Sequence, residues 1–375
     1  MKEAIILVPG LFGFAKIGDI SYFAKVKGLL SDSADIASKD IFELSPLPTG
    51  PLWRRVACVY DKVVSLRKAG FDRIHLVGHS TGGVDVRLLT SAAYLWPGGP
   101  SGAEREEFFS AIGRVISISA PHRGTPIAVR LRGTLENSIP FLFLLSILAK
   151  SKAKEKRGLG PLAWAASVVG GLAMLTPLKP MVHVTLEQLG GLEKGEALEA
   201  EAYLKEIVDC HPLIHELTPA AMLAVNSTLA GGTRLPVVNF ITVSPAVDTL
   251  FGVPLPKLGR HAIQRLIYMV SYWSTSLAPN EFGDLPGGGW LLEVKPSNLD
   301  DLADIAQDGV VPAGSQTMGG ELGHSVQKLV FADHLDVVGH YPGARGGETV
   351  FESGAQFDDA RMRALWHEVG VLLRE

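Results

Sequence analysis

The sequence predicts an α/β protein with a mostly parallel, doubly wound sheet, and two observations support this. Five short runs are apolar throughout and lack the alternation of apolar and polar residues that a half-exposed strand shows. This is typical of strands that are covered by helices on both faces. These runs are residues 4–8, 41–44, 74–77, 115–119 and 237–243. Helical signals occupy residues 53–69 and 83–95, between the runs, and a last helix is predicted at 358–373. Strands and helices therefore alternate along the chain, as a doubly wound sheet requires.

Composition limits the classes of function. The chain has 375 residues, of which 47% are hydrophobic and 20% charged, so it can build its own core and is not a disordered protein. Its 35 Lys and Arg against 39 Asp and Glu give a formal net charge of −4, which argues against nucleic acid as a partner. The apolar run near the N-terminus is too short for a signal peptide, so we expect a cytoplasmic protein unless a leader was removed.

A serine lies at a turn between a strand and a helix. Residues 78–82 read GHSTG, a G-x-S-x-G pattern that follows the apolar run 74–77 and precedes a helical segment. Such a turn is sharp and strained, and small flanking residues are needed to avoid clashes. Because the turn follows a strand of the predicted sheet, it places the hydroxyl above the carboxyl edge. Ser80 is therefore the candidate nucleophile.

A nucleophilic serine needs a histidine as base and a carboxylate that orients this histidine. In this type of fold the chain order is serine, acid, histidine. His334 follows a strand-like run at 328–331, as expected for a loop after a last strand, and Asp308 lies in a turn before an apolar stretch. The other late histidines are His324 and His340, as alternatives, and His367, which reads as a helix surface residue. The other candidate acids are Asp304, Asp333 and Asp336.

Two backbone N–H groups are needed to stabilise the oxyanion of a tetrahedral intermediate. The residue after the nucleophile, Thr81, supplies one of them. The turn after the first strand reads PGLFG, in which Gly10 lets the backbone approach the substrate. Leu11 is the preferred second donor and Phe12 is the alternative.

Several segments, in order, carry a resemblance to a known family. They are residues 5–11, Gly50-Pro51 with Arg54, 76–83, 119–126, 217–226, 308–311 and 334–336. Together they resemble the true bacterial lipases of the Pseudomonas and Burkholderia type, which have the α/β-hydrolase fold. The resemblance implies a triad of Ser80, Asp308 and His334, oxyanion donors at Leu11 and Thr81, and Arg54 as a brace for the oxyanion loop.

The chain departs from that family at two places. Pro9 stands before Gly10 where the family usually has histidine. The family's calcium site uses the aspartate of His-Leu-Asp and a glutamine four residues later, and here these positions hold Asp336 and His340. Asp336 is therefore either a calcium ligand or an anchor of the His334 loop. The chemistry itself requires no cofactor.

Residues 132–182 interrupt the α/β pattern and divide the core into 1–131 and 183–375. The insertion has an apolar run at 139–148, a basic run at 152–157 and an uncharged stretch at 158–178. A transmembrane hairpin is one interpretation, but the first arm is short and Gly and Pro interrupt the second. A helical lid that opens onto lipid is favoured, so we expect transient contact with a membrane or lipid interface.

The predicted function is that of a serine ester hydrolase, a lipase or carboxylesterase. A small-molecule esterase needs no apolar cover, so the insertion favours hydrophobic acyl esters such as acylglycerols. Two alternatives remain open. A lipid acyltransferase would use the same triad with an alcohol in place of water, and a non-catalytic lipid-binding or membrane-binding module would use the apolar insertion alone.

Overall fold

The structure is a computed structural model centred on a seven-stranded sheet. It describes residues 2–13, 16–17, 20–129, 203, 206, 210–229, 233–245, 265, 268, 271–273, 275, 290–294, 306–318, 325–341, 344 and 351–375. The strands of the large sheet are β1 (Glu3–Val8), β4 (Ile41–Glu43), β5 (Arg73–His79), β6 (Ile112–Ile118), β7 (Val237–Val243), β8 (Leu291–Val294) and β9 (Ser325–Phe331). A separate two-stranded hairpin consists of β2 (Lys16–Ile17) and β3 (Ile20–Ser21).

The order of the strands fixes where a site can lie. The large sheet has the order β4-β1-β5-β6-β7-β9-β8, and every pairing is parallel except that of the edge strand β8 with β9. The chain moves from β1 to one side, then returns to β5 on the other side. Ligands bind at such a switch point, outside the carboxyl ends of the strands. Val8 at the end of β1 pairs with Gly78 near the end of β5, so the loops that follow these strands are neighbours.

Helices cover both faces of the sheet. They are α1 (Val26–Ala34), α2 (Leu52–Lys68), α3 (Thr81–Thr90), α4 (Gly102–Ala111), α5 (Pro212–Glu216), α6 (Pro219–Ser227), α7 (Ala313–Gln316) and α8 (Asp359–Arg374). Alternate residues of β1 point to opposite faces. Ile6 belongs to the core that contains the apolar faces of α2 and α3, whereas Ile5 belongs to the core that contains those of α1 and α8. This two-sided burial explains why the strands read as continuous apolar runs.

The predicted doubly wound sheet is confirmed, and some boundaries differ. The helix expected at 83–95 begins earlier and ends at Thr90, because Ser91 leaves the helix to form a β-bridge with Thr233. The edge strand β8 and the helices α1 and α4 were not among the predicted elements. The insertion at 132–182 lies outside the described residues. Within the part of the chain that is described, no helix has both the length and the apolar character needed to cross a bilayer.

Candidate active site

Ser80 lies at a sharp turn between β5 and α3. Its backbone angles are φ 56° and ψ −128°, a region that residues other than glycine rarely adopt and that costs about 1–3 kcal/mol. Hydrogen bonds fix the turn, since Ser80 N donates to Ile118 O at 2.8 Å and Gly83 N donates to Ser80 O at 2.9 Å. A Cβ on Gly82 would lie 2.0 Å from Val8 O. The small residues that the sequence places around Ser80 are therefore required by close backbone packing.

Asp308 and His334 meet at the carboxyl side of the sheet. His334 follows β9, and its Nδ1 donates to Asp308 Oδ2 at 2.7 Å. The backbone adds a second link, because His334 N donates to Asp308 O at 3.0 Å. Both side chains are buried. Since Nδ1 is engaged by the carboxylate, Nε2 is left as the ring nitrogen that can accept a proton.

The Asp308 carboxylate is oriented by four further donors. Its Oδ1 accepts from Val310 N at 2.9 Å and from Val311 N at 2.8 Å. Its Oδ2 accepts from Thr242 Oγ1 at 2.6 Å and from Gln316 Nε2 at 3.2 Å, in addition to His334. These donors fix both oxygen atoms of the carboxyl group. The arrangement therefore holds Asp308 in place as the acceptor for His334 Nδ1.

His79 holds the His334 loop against the end of β5. Its Nε2 donates to His334 O at 2.8 Å, and the two ring centroids are 4.9 Å apart. Because Ser80 directly follows His79, this contact brings the His334 loop to the nucleophile turn. Within the described residues no hydrogen bond joins Ser80 Oγ to His334. Such bonds are often long in ligand-free sites and tighten when substrate binds.

The loop after β1 lies directly against Ser80. A Cβ on Gly10 would be 2.5 Å from Ser80 Cβ and 2.9 Å from Ser80 Oγ, so only glycine permits this approach. Phe12 N donates to Pro48 O at 3.0 Å, which removes the alternative oxyanion donor. Leu11 N donates to no acceptor among the described residues. Thr81 is the first residue of α3, where the N–H has no partner within the helix.

Arg55, and not Arg54, braces the loop after β1. Arg55 is buried, and its Nη2 donates to Pro9 O at 2.7 Å and to Asp85 Oδ2 at 2.8 Å. Arg54 is exposed, and its guanidinium carbon lies 5.2 Å from the centroid of the Trp53 ring. Successive residues of a helix point about 100° apart, so the two arginines of α2 have opposite environments. The expectation for Arg54 is thus corrected by one position.

Asp336 and His340 both contact backbone groups. Among the described residues, no group of three or more His, Cys, Asp or Glu side chains suited to a metal occurs. Asp336 Oδ2 accepts from Asp333 N at 2.9 Å. His340 Nε2 donates to Tyr22 O at 3.0 Å. Asp336 thus anchors the loop that carries His334.

The alternative acids and bases have other environments. Asp333 Oδ1 accepts from Leu335 N at 2.9 Å and from Asp336 N at 3.0 Å, so this carboxyl organises its own loop. His367 is exposed on α8. The remaining alternatives, His324 and Asp304, lie outside the described residues.

Comparison with known proteins adds an independent observation. No protein-family model matches the chain. Over 132 residues, 35% of this chain, the sequence is 29% identical to a triacylglycerol lipase of Pseudomonas fragi, and the match spans only 39% of that lipase. The structure of EstA from Clostridium botulinum aligns with a TM-score of 0.52 at 16% identity, over 100% of this chain and 87% of EstA. Lipase 1 from Pelosinus fermentans aligns with a TM-score of 0.49 at 16% identity, over 98% of each chain.

The chain has the α/β-hydrolase fold. The EstA alignment and the parallel sheet with its strand-turn-helix at Ser80 agree on this point. Four side chains near the site were missed by sequence reasoning, namely Tyr22, His79, Thr242 and Gln316. A signal existed only for His79, which occupies the first variable position of the G-x-S-x-G pattern. Tyr22 and Thr242 reach the site from distant parts of the chain, and Gln316, eight residues after Asp308, belongs to no recognisable motif.

Proposed function

We propose that this chain is a serine ester hydrolase that cleaves hydrophobic acyl esters, such as acylglycerols, through an acyl-enzyme on Ser80. The observation that carries the proposal is the hydrogen-bonded pair of Asp308 and His334, on the same sheet edge as a serine in a strained strand-to-helix turn. An ordinary glycine-rich turn needs neither the strain nor the buried pair. The similarity to a triacylglycerol lipase supports the same class of reaction.

The proposed reaction has two halves. Ser80 Oγ attacks the ester carbonyl carbon while its proton passes to His334 Nε2, and Asp308 stabilises the imidazolium through Nδ1–H. The carbonyl oxygen becomes an oxyanion that accepts hydrogen bonds from Leu11 N and Thr81 N. Collapse of this intermediate breaks the ester bond, and His334 returns the proton to the leaving alkoxide. Water then attacks the acyl-enzyme by the same route and releases the acid and free Ser80.

The finer proposal concerns the substrate and the type of lipase. The ordered motifs from residue 5 to residue 336 support a lipase of the Pseudomonas and Burkholderia type. The apolar and uncharged runs of residues 132–182 support contact with a lipid interface and a preference for long acyl chains. On this proposal the insertion contributes to long-chain substrates above their aggregation limit and contributes little to short, soluble esters.

The test is hydrolysis of p-nitrophenyl esters from acetate to palmitate, below and above the aggregation limit of each. We expect the rate to rise with chain length, and Ser80→Ala to lower it by about 10⁴-fold or more. Ser227→Ala is the matched control, because Ser227 is exposed on α6. Full activity in Ser80→Ala would refute the proposed nucleophile. Activity on short esters alone would refute the lipid substrate. Ester formation with an added alcohol in place of release of the free acid would identify an acyltransferase.

A further inference from the structure

A chain of hydrogen bonds joins the loop after β1 to the loop after β9 through the interior. Gly10 N donates to Tyr22 Oη at 3.0 Å, and Tyr22 Oη lies 2.7 Å from His79 Nδ1. His79 Nε2 lies 2.8 Å from His334 O. Both linking side chains, Tyr22 and His79, are buried. The chain therefore has its two ends at the proposed oxyanion loop and at the proposed base.

The direction of each bond follows from its acceptor. A backbone carbonyl can only accept, so His79 carries its proton on Nε2 and donates it to His334 O. His79 Nδ1 is then an acceptor, and Tyr22 donates its hydroxyl proton to it. The same hydroxyl oxygen accepts from Gly10 N. Burial lowers the pKa of His79 and raises the pKa of Tyr22, so both groups are neutral, as this scheme requires.

We infer that Tyr22 and His79 form one positioning unit that sets the oxyanion loop and the His334 loop in register with Ser80. Neither residue has a place in the reaction, and the inference rests on the proposed function. A second contact supports the unit, because His340 Nε2 donates to Tyr22 O at 3.0 Å. Tyr22 is thus held by the same loop that carries His334. Bonds in such a buried chain strengthen one another, so the loss of one link loosens the others.

The test uses Tyr22→Phe, which removes one oxygen atom, and His79→Leu, which removes both links at the centre. Reaction of Ser80 with a p-nitrophenyl phosphonate counts the active sites, so kcat for p-nitrophenyl butyrate is expressed per reactive site. We expect kcat to fall about 10-fold for Tyr22→Phe and about 100-fold for His79→Leu, since small misplacements have effects of this size. KM is expected to change by less than about twofold, because the loss occurs in the transition state.

The double variant distinguishes one unit from two separate roles. If Tyr22 and His79 act together, kcat of Tyr22→Phe/His79→Leu equals that of His79→Leu alone. The matched controls are Tyr60→Phe, on α2 next to Trp96, and His75→Leu, at a buried histidine of β5 five residues before Ser80. Both are expected to keep the parent kcat per site.

Two results would overturn the inference while leaving the proposed function intact. One is a kcat per site in Tyr22→Phe and His79→Leu that matches the Tyr60→Phe and His75→Leu controls. The other is a double variant in which the two fold losses multiply, which would show independent roles. A parent chain whose Ser80 does not react with the phosphonate would instead refute the proposed function, and this inference with it.

Discussion

Replacement of Arg55 by methionine should destabilise the chain strongly. The Arg55 guanidinium donates twice to Asp85 Oδ2, at 3.0 and 2.8 Å, and once each to Leu47 O at 2.9 Å and Pro9 O at 2.7 Å. Methionine fills a similar volume and donates nothing, so the buried Asp85 carboxylate, the buried carbonyl of Pro9 and the half-buried carbonyl of Leu47 lose this donor. Removing one partner of a buried pair costs about 3–5 kcal/mol. The total free energy of unfolding of a domain is about 5–15 kcal/mol.

The loss in Arg55→Met should depend on pH in a defined direction. Burial raises the pKa of Asp85 to about 6, and Arg55 opposes this rise. Without Arg55 the folded-state pKa rises further, so the folded variant binds a proton that the unfolded chain releases. Stability then falls as pH increases through this pKa. We therefore expect a larger difference in the free energy of unfolding between Arg55→Met and the parent at pH 8 than at pH 5.

Urea unfolding followed by circular dichroism measures these differences. Arg54→Met is the matched control, since it removes a neighbouring but exposed arginine and a contact with Trp53 of about 0.5–1 kcal/mol. Arg55→Met/Asp85→Leu removes both charges and should regain about 1–3 kcal/mol relative to additivity. An Arg54→Met variant as destabilised as Arg55→Met, or a double variant with additive losses, would refute the reasoning.

Two other predictions concern the loops at the site. Gly10→Ala should lower kcat by about 100-fold, because its Cβ would lie 2.9 Å from Ser80 Oγ. The control is Gly28→Ala, whose Cβ would have nothing within 4 Å. It should keep the parent kcat and increase the free energy of unfolding in urea by about 0.5–1 kcal/mol. A Gly10→Ala variant with the parent kcat would contradict the close approach. Burial raises the pKa of Asp333 to about 6 and also raises the pKa of Asp336. Between about pH 4 and pH 6 the folded state therefore keeps protons that the unfolded state releases, so the free energy of unfolding falls as pH rises. Asp336→Asn should flatten this dependence in pH-dependent thermal unfolding, and an unchanged slope would contradict it.

Most strands of the sheet could be predicted because each of them is a local run of apolar residues, and only the edge strand β8 was missed. The run at residues 237–243 is observed as the strand Val237–Val243, with the predicted bounds. Thr218 followed by Pro219 is a local helix-start signal, and Thr218 Oγ1 accepts from Ala221 N at 3.4 Å at the start of α6. Ser80 was also found locally, since the glycines around it reflect packing within a few residues. Order along the chain then limited the acid and the base to a few candidates.

The hydrogen-bond partners of the site residues could not be predicted, because these contacts depend on packing between segments that are distant in the sequence. Tyr22 and His79 are 57 residues apart in sequence, and His79 and His334 are 255 apart. The error at Arg54 has a different cause. The resemblance placed the bracing arginine at residue 54, near the start of α2. Helix geometry decides which residue faces the loop after β1, because a shift of one residue turns the side chain by about 100°. Residue 55 is therefore buried and residue 54 exposed.

Four hydrogen bonds hold the loop after β1 and bear on its proposed role as the oxyanion loop. Arg55 donates to Pro9 O, Gly10 N donates to Tyr22, Phe12 N donates to Pro48 O and Tyr203 Oη donates to Phe12 O. These bonds fix the backbone just before and just after Leu11. Leu11 N itself has no acceptor among the described residues. An N–H group without an acceptor in the protein can donate to a ligand without the loss of an existing hydrogen bond. Leu11 is therefore the residue of this loop from which an oxyanion would gain most, and the side chains that fix its neighbours should control the rate without touching the substrate.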